Sequence, residues 1–153
     1  MTDTATDNDT DQLGDVTYTR VFDAPRELVF ACMTDPKHLT HFWGPVGMST
    51  PLDTITVELR VGGAFRTTMV NDSDGTEYAS TGVYTEIDPP STLAWREDGG
   101  VLCTTTFTEV GDGRTEVRIH QSDVPAMYLA PEAQAGFRSS LDRFAAYLAT
   151  QQA

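Results

Sequence analysis

The stretch RVFDAPRELVFACMTDPKHLTHFWGP, residues 20–45, decides the fold. It ends a strand at an Ala-Pro pair and then predicts a helix over Pro25–Met33, where proline occupies the first position and apolar residues recur at helical spacing. Asp35, which precedes a proline, predicts the N-cap of a second short helix that runs through Phe42 to a Gly-Pro stop. A strand followed by two short helices predicts a cupped sheet that is closed over a cavity.

Alternating apolar residues and turn signals predict an antiparallel sheet on both sides of this stretch. The strand before it is predicted from Val16 to Phe22, where Val, Tyr and Phe fall at every second position. The predicted strands after it are Ile55–Leu59, Ala64–Asn71, Glu77–Ile87, Thr92–Glu97, Leu102–Glu109 and Arg114–Gln121. Glycine, proline and aspartate occupy most of the short connections, and such turns let antiparallel neighbours pair directly. These patterns predict a meander of strands.

The last predicted element is a long helix over Pro131–Thr150. Its apolar residues form one stripe at helical spacing: Phe137, Leu141, Phe144, Ala145 and Leu148. A helix with such a stripe needs a large apolar surface to cover, and the concave face of the sheet is the candidate that is large enough. The predicted class is therefore α+β, with a curved antiparallel sheet of six to seven strands wrapped around a long carboxy-terminal helix and two short helices after the first strand.

The composition limits the partners that this protein can bind. Its 153 residues carry a net charge of -13, and Lys37 is the only lysine. Nucleic acids and anionic membranes both require clustered positive charge, so neither is an expected partner. The amino terminus has neither the basic nor the apolar region of a signal peptide, and no apolar run is long enough to span a bilayer, so a cytoplasmic location is expected. Residues 1–13 are predicted to be a disordered acidic tail, and residues 14–153 one domain.

The sequence predicts neither a metal nor another cofactor. Cys32 and Cys103 lack metal-ligand spacing and are predicted to be separate buried thiols. His38 and His41 stand three apart on the second helix, but no third strong ligand accompanies them, so the preferred interpretation is solvated surface. Residues 71–75, NDSDG, lack the distal glutamate of a calcium loop and predict a hairpin turn. No catalytic set is predicted either.

Strand parity selects the side chains that face the interior, because successive residues of a strand point to opposite faces. Together with aromatic residues of the helices, it gives these candidate cavity residues: Arg20, Trp43, Phe65, Met69, Tyr84, Trp95, Phe107, Phe137 and Leu141. This mostly apolar lining suits a small hydrophobic or aromatic ligand. For any one of these residues, the alternative interpretation is that it fills the core, and that alternative is preferred residue by residue.

Arg20 is the charged member of this set, and its parity places it on the inner face with Tyr18 and Phe22. A buried guanidinium needs an acidic partner. It is interpreted either as an anchor for an anion or carbonyl of a ligand, or as a structural ion pair with an acid such as Glu58 or Glu86. The structural pair is the preferred interpretation.

Several motifs together resemble one known family. They are Arg20 with FDAPRELVF at 22–30, TDPKHL at 34–39, FWGP at 42–45, RVGGAF at 60–65, GVYTEIDPPSTL at 82–93 and GFRSSLDRFAAYL at 136–148. In this pattern the chain resembles homologues of the activator of heat-shock-protein-90 ATPase, within the START-like helix-grip superfamily of lipid carriers and polyketide cyclases. Phe42 and Phe137 stand where that family often has tryptophan. The resemblance implies the helix-grip fold and no fixed catalytic set.

Three functions follow as hypotheses. The favoured one is the binding of a small hydrophobic molecule in the internal cavity, without chemistry. The second, implied by the resemblance, is a co-chaperone that docks on a chaperone ATPase through its surface. The third, implied by the wider superfamily, is a cyclase- or hydratase-like enzyme, although no acid-base pair stands at a telling spacing. Exposed edge strands allow either a monomer or a homodimer.

Overall fold

The computed structural model describes residues 13–152, and the predicted acidic tail lies outside these residues except for Leu13. The strands are β1 (Leu13–Phe22), β2 (Met48–Ser49), β3 (Thr56–Val57), β4 (Ala64–Asn71), β5 (Glu77–Asp88), β6 (Thr92–Glu97), β7 (Leu102–Gly111) and β8 (Arg114–Pro125). The α-helices are α1 (Arg26–Thr34), α2 (Pro36–Leu39) and α3 (Pro131–Gln151), and the 3₁₀-helices are Leu52–Thr54 and Ala126–Tyr128. None of the helices within residues 13–152 is long and apolar enough to cross a bilayer.

The strands form one curled antiparallel sheet in the order β1-β8-β7-β6-β5-β4-β2, and β3 also pairs with β4. From β4 to β8 each strand pairs with the next in the chain, which confirms the predicted meander. The first strand closes the other side by pairing with the last, for example Tyr18 with Ile119. The sheet has eight strands, one more than the seven listed from the sequence, because the two-residue strand β2 also joins β4. The helix-grip fold is thereby confirmed.

Two predicted elements are longer than those observed. The strand predicted over Ile55–Leu59 is reduced to β3, because the Glu58 carboxylate accepts a hydrogen bond from Ala64 N at 2.9 Å and turns the chain back. The second short helix ends at Leu39 and not at Phe42. Beyond Leu39 the backbone tightens, since Phe42 N donates to Leu39 O at 3.1 Å, three residues earlier. Asp35 is the N-cap as predicted, because its carboxylate accepts from Lys37 N at 2.9 Å.

The core lies between the concave face of the sheet and the helices. The predicted stripe of α3 supplies Leu141, Phe144 and Leu148, all buried. Phe144 stacks on Phe42, with ring centroids 4.1 Å apart, and it also contacts Phe22 at 5.0 Å. This three-ring contact joins α3, the turn after α2 and β1, so it fixes how the long helix sits across the sheet.

Candidate ligand-binding site

A cavity of about 490 Å³ separates part of α3 from the sheet. Its walls are mostly apolar and aromatic, with α3 on one side, β6, β7 and β8 on the other, and the turn after α2 at one edge. Protein interiors seldom contain voids much larger than one water molecule, which occupies roughly 30 Å³ in the liquid. This space is therefore far larger than a packing defect.

Five of the nine predicted cavity residues line this space: Trp43, Met69, Trp95, Phe137 and Leu141. Trp43 comes from the turn after α2 and is only partly buried, whereas Trp95 is 4% exposed on β6. The two indole rings lie 6.2 Å apart between centroids and are tilted by 53°. Phe137 reaches the cavity from α3 and stacks on Tyr18 at 4.1 Å. These side chains are brought together from four distant parts of the chain.

Three of the predicted cavity residues face inward but do not line the cavity: Phe65, Tyr84 and Phe107. Phe65 stacks on Tyr84 at 5.5 Å and meets Trp95 at 5.0 Å, so a buried aromatic cluster stands behind the cavity wall. Phe107 packs edge-on against Phe30 of α1 at 5.3 Å. Parity identified their face correctly, but the covering helix α1 and the neighbouring rings fill the space beside them.

Arg20 is the fourth predicted cavity residue that does not line the cavity. Its guanidinium donates to the Asp142 carboxylate at 2.7 Å, and the Arg20 side chain is 31% exposed. The preferred interpretation of a structural ion pair agrees with this contact, but the partner lies on α3 and is neither Glu58 nor Glu86. The pair links β1 to α3 at the protein surface, where an ion pair contributes modestly to stability.

The charged and amide side chains of the cavity cluster at one end, which we call the mouth. Glu97 stands at the end of β6, and Gln121 lies near the end of β8. The register brings them to the same end, because Trp95 pairs with Cys103 and Cys103 pairs with Gln121. Beyond β8 the chain continues into Tyr128 and Glu132, which complete the mouth. The opposite end is closed by apolar side chains such as Met33 and Phe144.

Burial raises the pKa of two acidic groups in the wall, Glu97 and Cys103. Burial raises the pKa of Glu97, and a hydrogen bond from Trp95 Nε1 at 3.4 Å partly opposes the rise. Burial, aided by the nearby Glu97 carboxylate, raises the pKa of the Cys103 thiol to about 12. Cys103 is therefore an uncharged and weakly nucleophilic thiol at neutral pH, so the wall offers no activated cysteine.

Sequence reasoning missed Glu97, Gln121 and Glu132 as cavity residues. Strand parity could have identified Glu97, because Glu97 shares the parity of Trp95, which lies two residues earlier in a strand whose bounds were predicted correctly. Gln121 carried the same signal, because it shares the parity of Val117 and Ile119 in the predicted strand Arg114–Gln121. Glu132 had no comparable signal, since its place depends on how the chain turns from β8 into α3, and local periodicity does not encode that turn.

Arg143 was also missed, and it fastens the cavity edge. Its guanidinium donates to the carbonyls of Gly44 at 2.8 Å, Met48 at 3.1 Å and Pro45 at 3.2 Å. Gly44 and Pro45 both line the cavity. Gly44 has a φ of 103°, and a Cβ there would lie 2.9 Å from the Met69 sulfur, so glycine is required. Arg143 therefore adds a set of polar contacts to the packing that joins the turn and the long helix.

The Thr105 hydroxyl in the cavity wall provides a stability test. It is fully buried beside the Cys103 thiol and has no hydrogen-bond partner of acceptable geometry among the described residues. Thr105→Val should raise the free energy of unfolding by about 1 kcal/mol, because it removes an unsatisfied polar group at nearly constant volume. Urea titration monitored by circular dichroism measures the change.

Thr115→Val is the matched control. Thr115 is equally buried, but its hydroxyl donates to Ala24 O at 2.7 Å. The same substitution should therefore lower the free energy of unfolding by about 1 kcal/mol. Two destabilising changes of equal size would contradict the assignment of Thr105 as unsatisfied.

His38 of α2 and His41 of the turn after it contact an aromatic ring of α3. His38 Nδ1 lies 2.5 Å from the Tyr147 hydroxyl, and His41 stacks on the same ring with centroids 5.1 Å apart. Residues 13–152 contain no group of three potential ligands placed to hold a metal ion. The histidines therefore help to seat α3 on the turn after α2.

Comparison with known proteins matches this chain to one family model and to several solved structures of the same fold. The model of a family described as Activator of Hsp90 ATPase homolog 1-like protein matches residues 23–149. A solved Chromobacterium violaceum protein shares 27% identity and a TM-score of 0.76, covering 86% of this chain and 95% of its own. An AHSA1-like protein from Aeromonas hydrophila shares 22% identity and a TM-score of 0.78, covering 90% and 94%. A Nitrosomonas europaea protein shares the fold at 18% identity and a TM-score of 0.81, covering 91% and 96%. No curated protein matches the sequence significantly.

Proposed function

The chain belongs to the Activator of Hsp90 ATPase homolog 1-like family, and from that premise we propose that it binds a small hydrophobic or aromatic molecule in the cavity beneath α3. The observation that carries this proposal is the cavity itself. Its volume of about 490 Å³ falls within the range of roughly 300–1,000 Å³ that is typical of small-molecule sites. Its wall combines apolar and aromatic side chains with a few polar groups at one end, as such sites do.

The arrangement supports binding without catalysis. The acidic groups that line the cavity are Glu97, Cys103, Tyr128 and Glu132. Cys103 is held neutral by burial, and Tyr128 and Glu132 are exposed at the mouth. A cyclase or hydratase needs an acid and a base on either side of its substrate. The two carboxyl groups, Glu97 and Glu132, both stand at the mouth and therefore not on opposite sides of the space. We therefore retain the binding function and not the enzymatic alternative.

A blocking substitution tests this function. Ala133 lines the cavity from the first turns of α3, and Ala133→Phe places a ring in the space that a ligand would occupy. N-phenylnaphthylamine, which is uncharged at neutral pH and fluoresces in apolar sites, should bind the natural chain. The variant should weaken this binding by about tenfold or more, because a filled cavity excludes the probe. Fluorescence titration gives both dissociation constants.

Ala135→Phe is the matched control, because Ala135 is exposed on the same helix and lies outside the cavity wall. Both substitutions carry the same small cost in helix propensity. The control should bind the probe within about twofold of the natural chain, a difference of less than 1 kcal/mol. Equal binding by both variants, or no binding by the natural chain, would refute the proposed function.

A second candidate function is the stimulation of an Hsp90-type ATPase, and the family description is what favours it. A docking surface for such a partner is available away from the cavity. Leu59, Val61 and Val83 are exposed, with Val61 at 64%. A hydrogen bond of 2.8 Å from Gly62 N to Tyr84 O holds the loop that contains Leu59 and Val61 beside β5, the strand that contains Val83. Exposed apolar side chains grouped in this way are typical of protein contacts.

An ATPase assay tests this second function. The natural chain should raise the hydrolysis rate of an Hsp90-type ATPase, and Val61→Asp should abolish most of the increase, because a carboxylate in an apolar contact is desolvated without a partner. Val110→Asp, near the exposed end of β7, is the control and should leave the increase intact. An unchanged hydrolysis rate with the natural chain rejects the co-chaperone function.

A further inference from the structure

The charges of the cavity wall are of one sign. Two carboxylates line the cavity, Glu97 and Glu132, and no arginine, lysine or histidine does so among the described residues. Within residues 13–152 the Glu97 carboxylate forms no ion pair with a basic side chain. Its recorded side-chain partner is the Trp95 indole N–H, at the long distance of 3.4 Å. A partly buried carboxylate with so little compensation favours an added cation.

The neighbours of Glu97 also favour a cationic ligand over an anionic one. Gln121 stands at the same end of the cavity and supplies an amide oxygen that accepts hydrogen bonds. Trp43 and Trp95 place two indole rings in the wall, and indole faces attract cations more strongly than other aromatic side chains do. A protonated amine has several donors and no acceptor, so it matches the carboxylates, the amide oxygen and the aromatic faces of this site. A carboxylate ligand would be repelled by both carboxylates and would find no basic side chain among the described lining residues.

The geometry also sets the orientation of such a ligand. The carboxylates lie at the mouth, where β6 ends and α3 begins, whereas apolar side chains close the opposite end. A molecule with an apolar body and one charged end therefore fits with its body inside and its charge at the mouth. The net charge of -13 favours the approach of cations over that of anions.

We infer that the ligand is a cationic amphiphile, a molecule with a hydrophobic or aromatic body and one protonated amine that pairs with Glu97 at the mouth. This inference rests on the proposed function and narrows it from hydrophobic molecules in general to amines. It assigns Glu97 as the residue that determines specificity. Neutral hydrophobic molecules bind more weakly, and fatty or aromatic acids are excluded.

The test compares three probes that share an indole ring: tryptamine, tryptophol and indoleacetate. Each displaces N-phenylnaphthylamine from the natural chain, and the displacement curve gives its dissociation constant. Tryptamine should bind about tenfold or more tightly than tryptophol, because a charge-assisted hydrogen bond replaces a neutral one, and indoleacetate should bind least. Glu97→Gln should weaken tryptamine binding by about tenfold and leave tryptophol binding within about twofold.

Glu86→Gln is the matched control, because Glu86 is exposed on β5 and outside the cavity wall, and the substitution changes the net charge equally. It should leave the preference for tryptamine intact. Any of three results would overturn the inference: equal binding of the three probes, a preference for indoleacetate, or a preference for tryptamine that Glu97→Gln leaves unaltered. In each case, binding of N-phenylnaphthylamine would still uphold the proposed function. If N-phenylnaphthylamine itself does not bind the natural chain, the proposed function fails, and the inference fails with it.

Discussion

Phe144→Ala is expected to lower the free energy of unfolding by about 3 to 5 kcal/mol, the largest effect of any single change considered. Phe144 is 2% exposed and stacks on Phe42 while contacting Phe22, so its ring joins α3, the turn after α2 and β1. The substitution removes both contacts and enlarges the space at the closed end of the cavity. Domains of this size are stable by only about 5 to 15 kcal/mol, so the variant approaches the limit of folding. Urea unfolding followed by circular dichroism measures the loss.

Phe144→Leu is the conservative comparison. A leucine retains much of the buried volume, so the loss should stay below about 1.5 kcal/mol. A loss below about 1 kcal/mol in Phe144→Ala itself would show that the three-ring contact does not hold the helix on the sheet.

Arg143→Met is expected to lower the free energy of unfolding by about 2 to 3 kcal/mol and also to weaken probe binding. The reason is that the guanidinium donates to four backbone carbonyls, three in the turn after α2 and one at Met48 of β2, and methionine leaves all four without this donor. Two of those carbonyls belong to Gly44 and Pro45, which form the cavity edge. The loosened turn should therefore enlarge the dissociation constant for N-phenylnaphthylamine under conditions in which the variant is still folded. Urea unfolding and fluorescence titration together measure both effects.

Two further variants separate the hydrogen bonds of Arg143 from its charge. Arg143→Lys keeps the charge but should recover only part of the stability, because Nη1 makes three of the four bonds and lies one bond farther from the backbone than a lysine ammonium does. Arg138→Met removes an exposed arginine of the same helix, whose contacts are a 3.4 Å bond to Gln134 and a position over the Tyr18 ring. Its cost should stay below about 1 kcal/mol. Equal losses at Arg138 and Arg143 would contradict a special role for Arg143.

Secondary structure was largely predictable from local chemistry. The bounds predicted for β4 and β6 are those observed, because turn residues flank both strands and their apolar residues alternate. Prediction failed at β3, where the Glu58 side chain turns the chain back by bonding to Ala64 N, six residues later. Strand periodicity contains no information about such a contact.

The candidate site was predictable only in part. Parity placed Phe65, Tyr84 and Phe107 on the inner face, and all three are buried, but none lines the cavity. Parity assigns a side chain to a face of the sheet, whereas the covering helix and the neighbouring rings decide whether space remains beside it. Trp95 and Phe107 have the same inward parity and differ only in what covers them.

By itself, the sequence determined most of the order of elements and the acidic charge, because turn residues, apolar spacing and composition act over a few residues or over the whole chain. The helix-grip fold and the family followed from the resemblance of several motifs to known proteins. Tertiary structure alone decided that Arg20 pairs with Asp142, that Arg143 holds the turn at Gly44, and that the cavity contains carboxylates without a basic side chain among its described lining residues. Each of these features joins groups that are distant along the chain. Their meeting depends on where α3 lies across the curled sheet, and that position is set by the packing of the whole core.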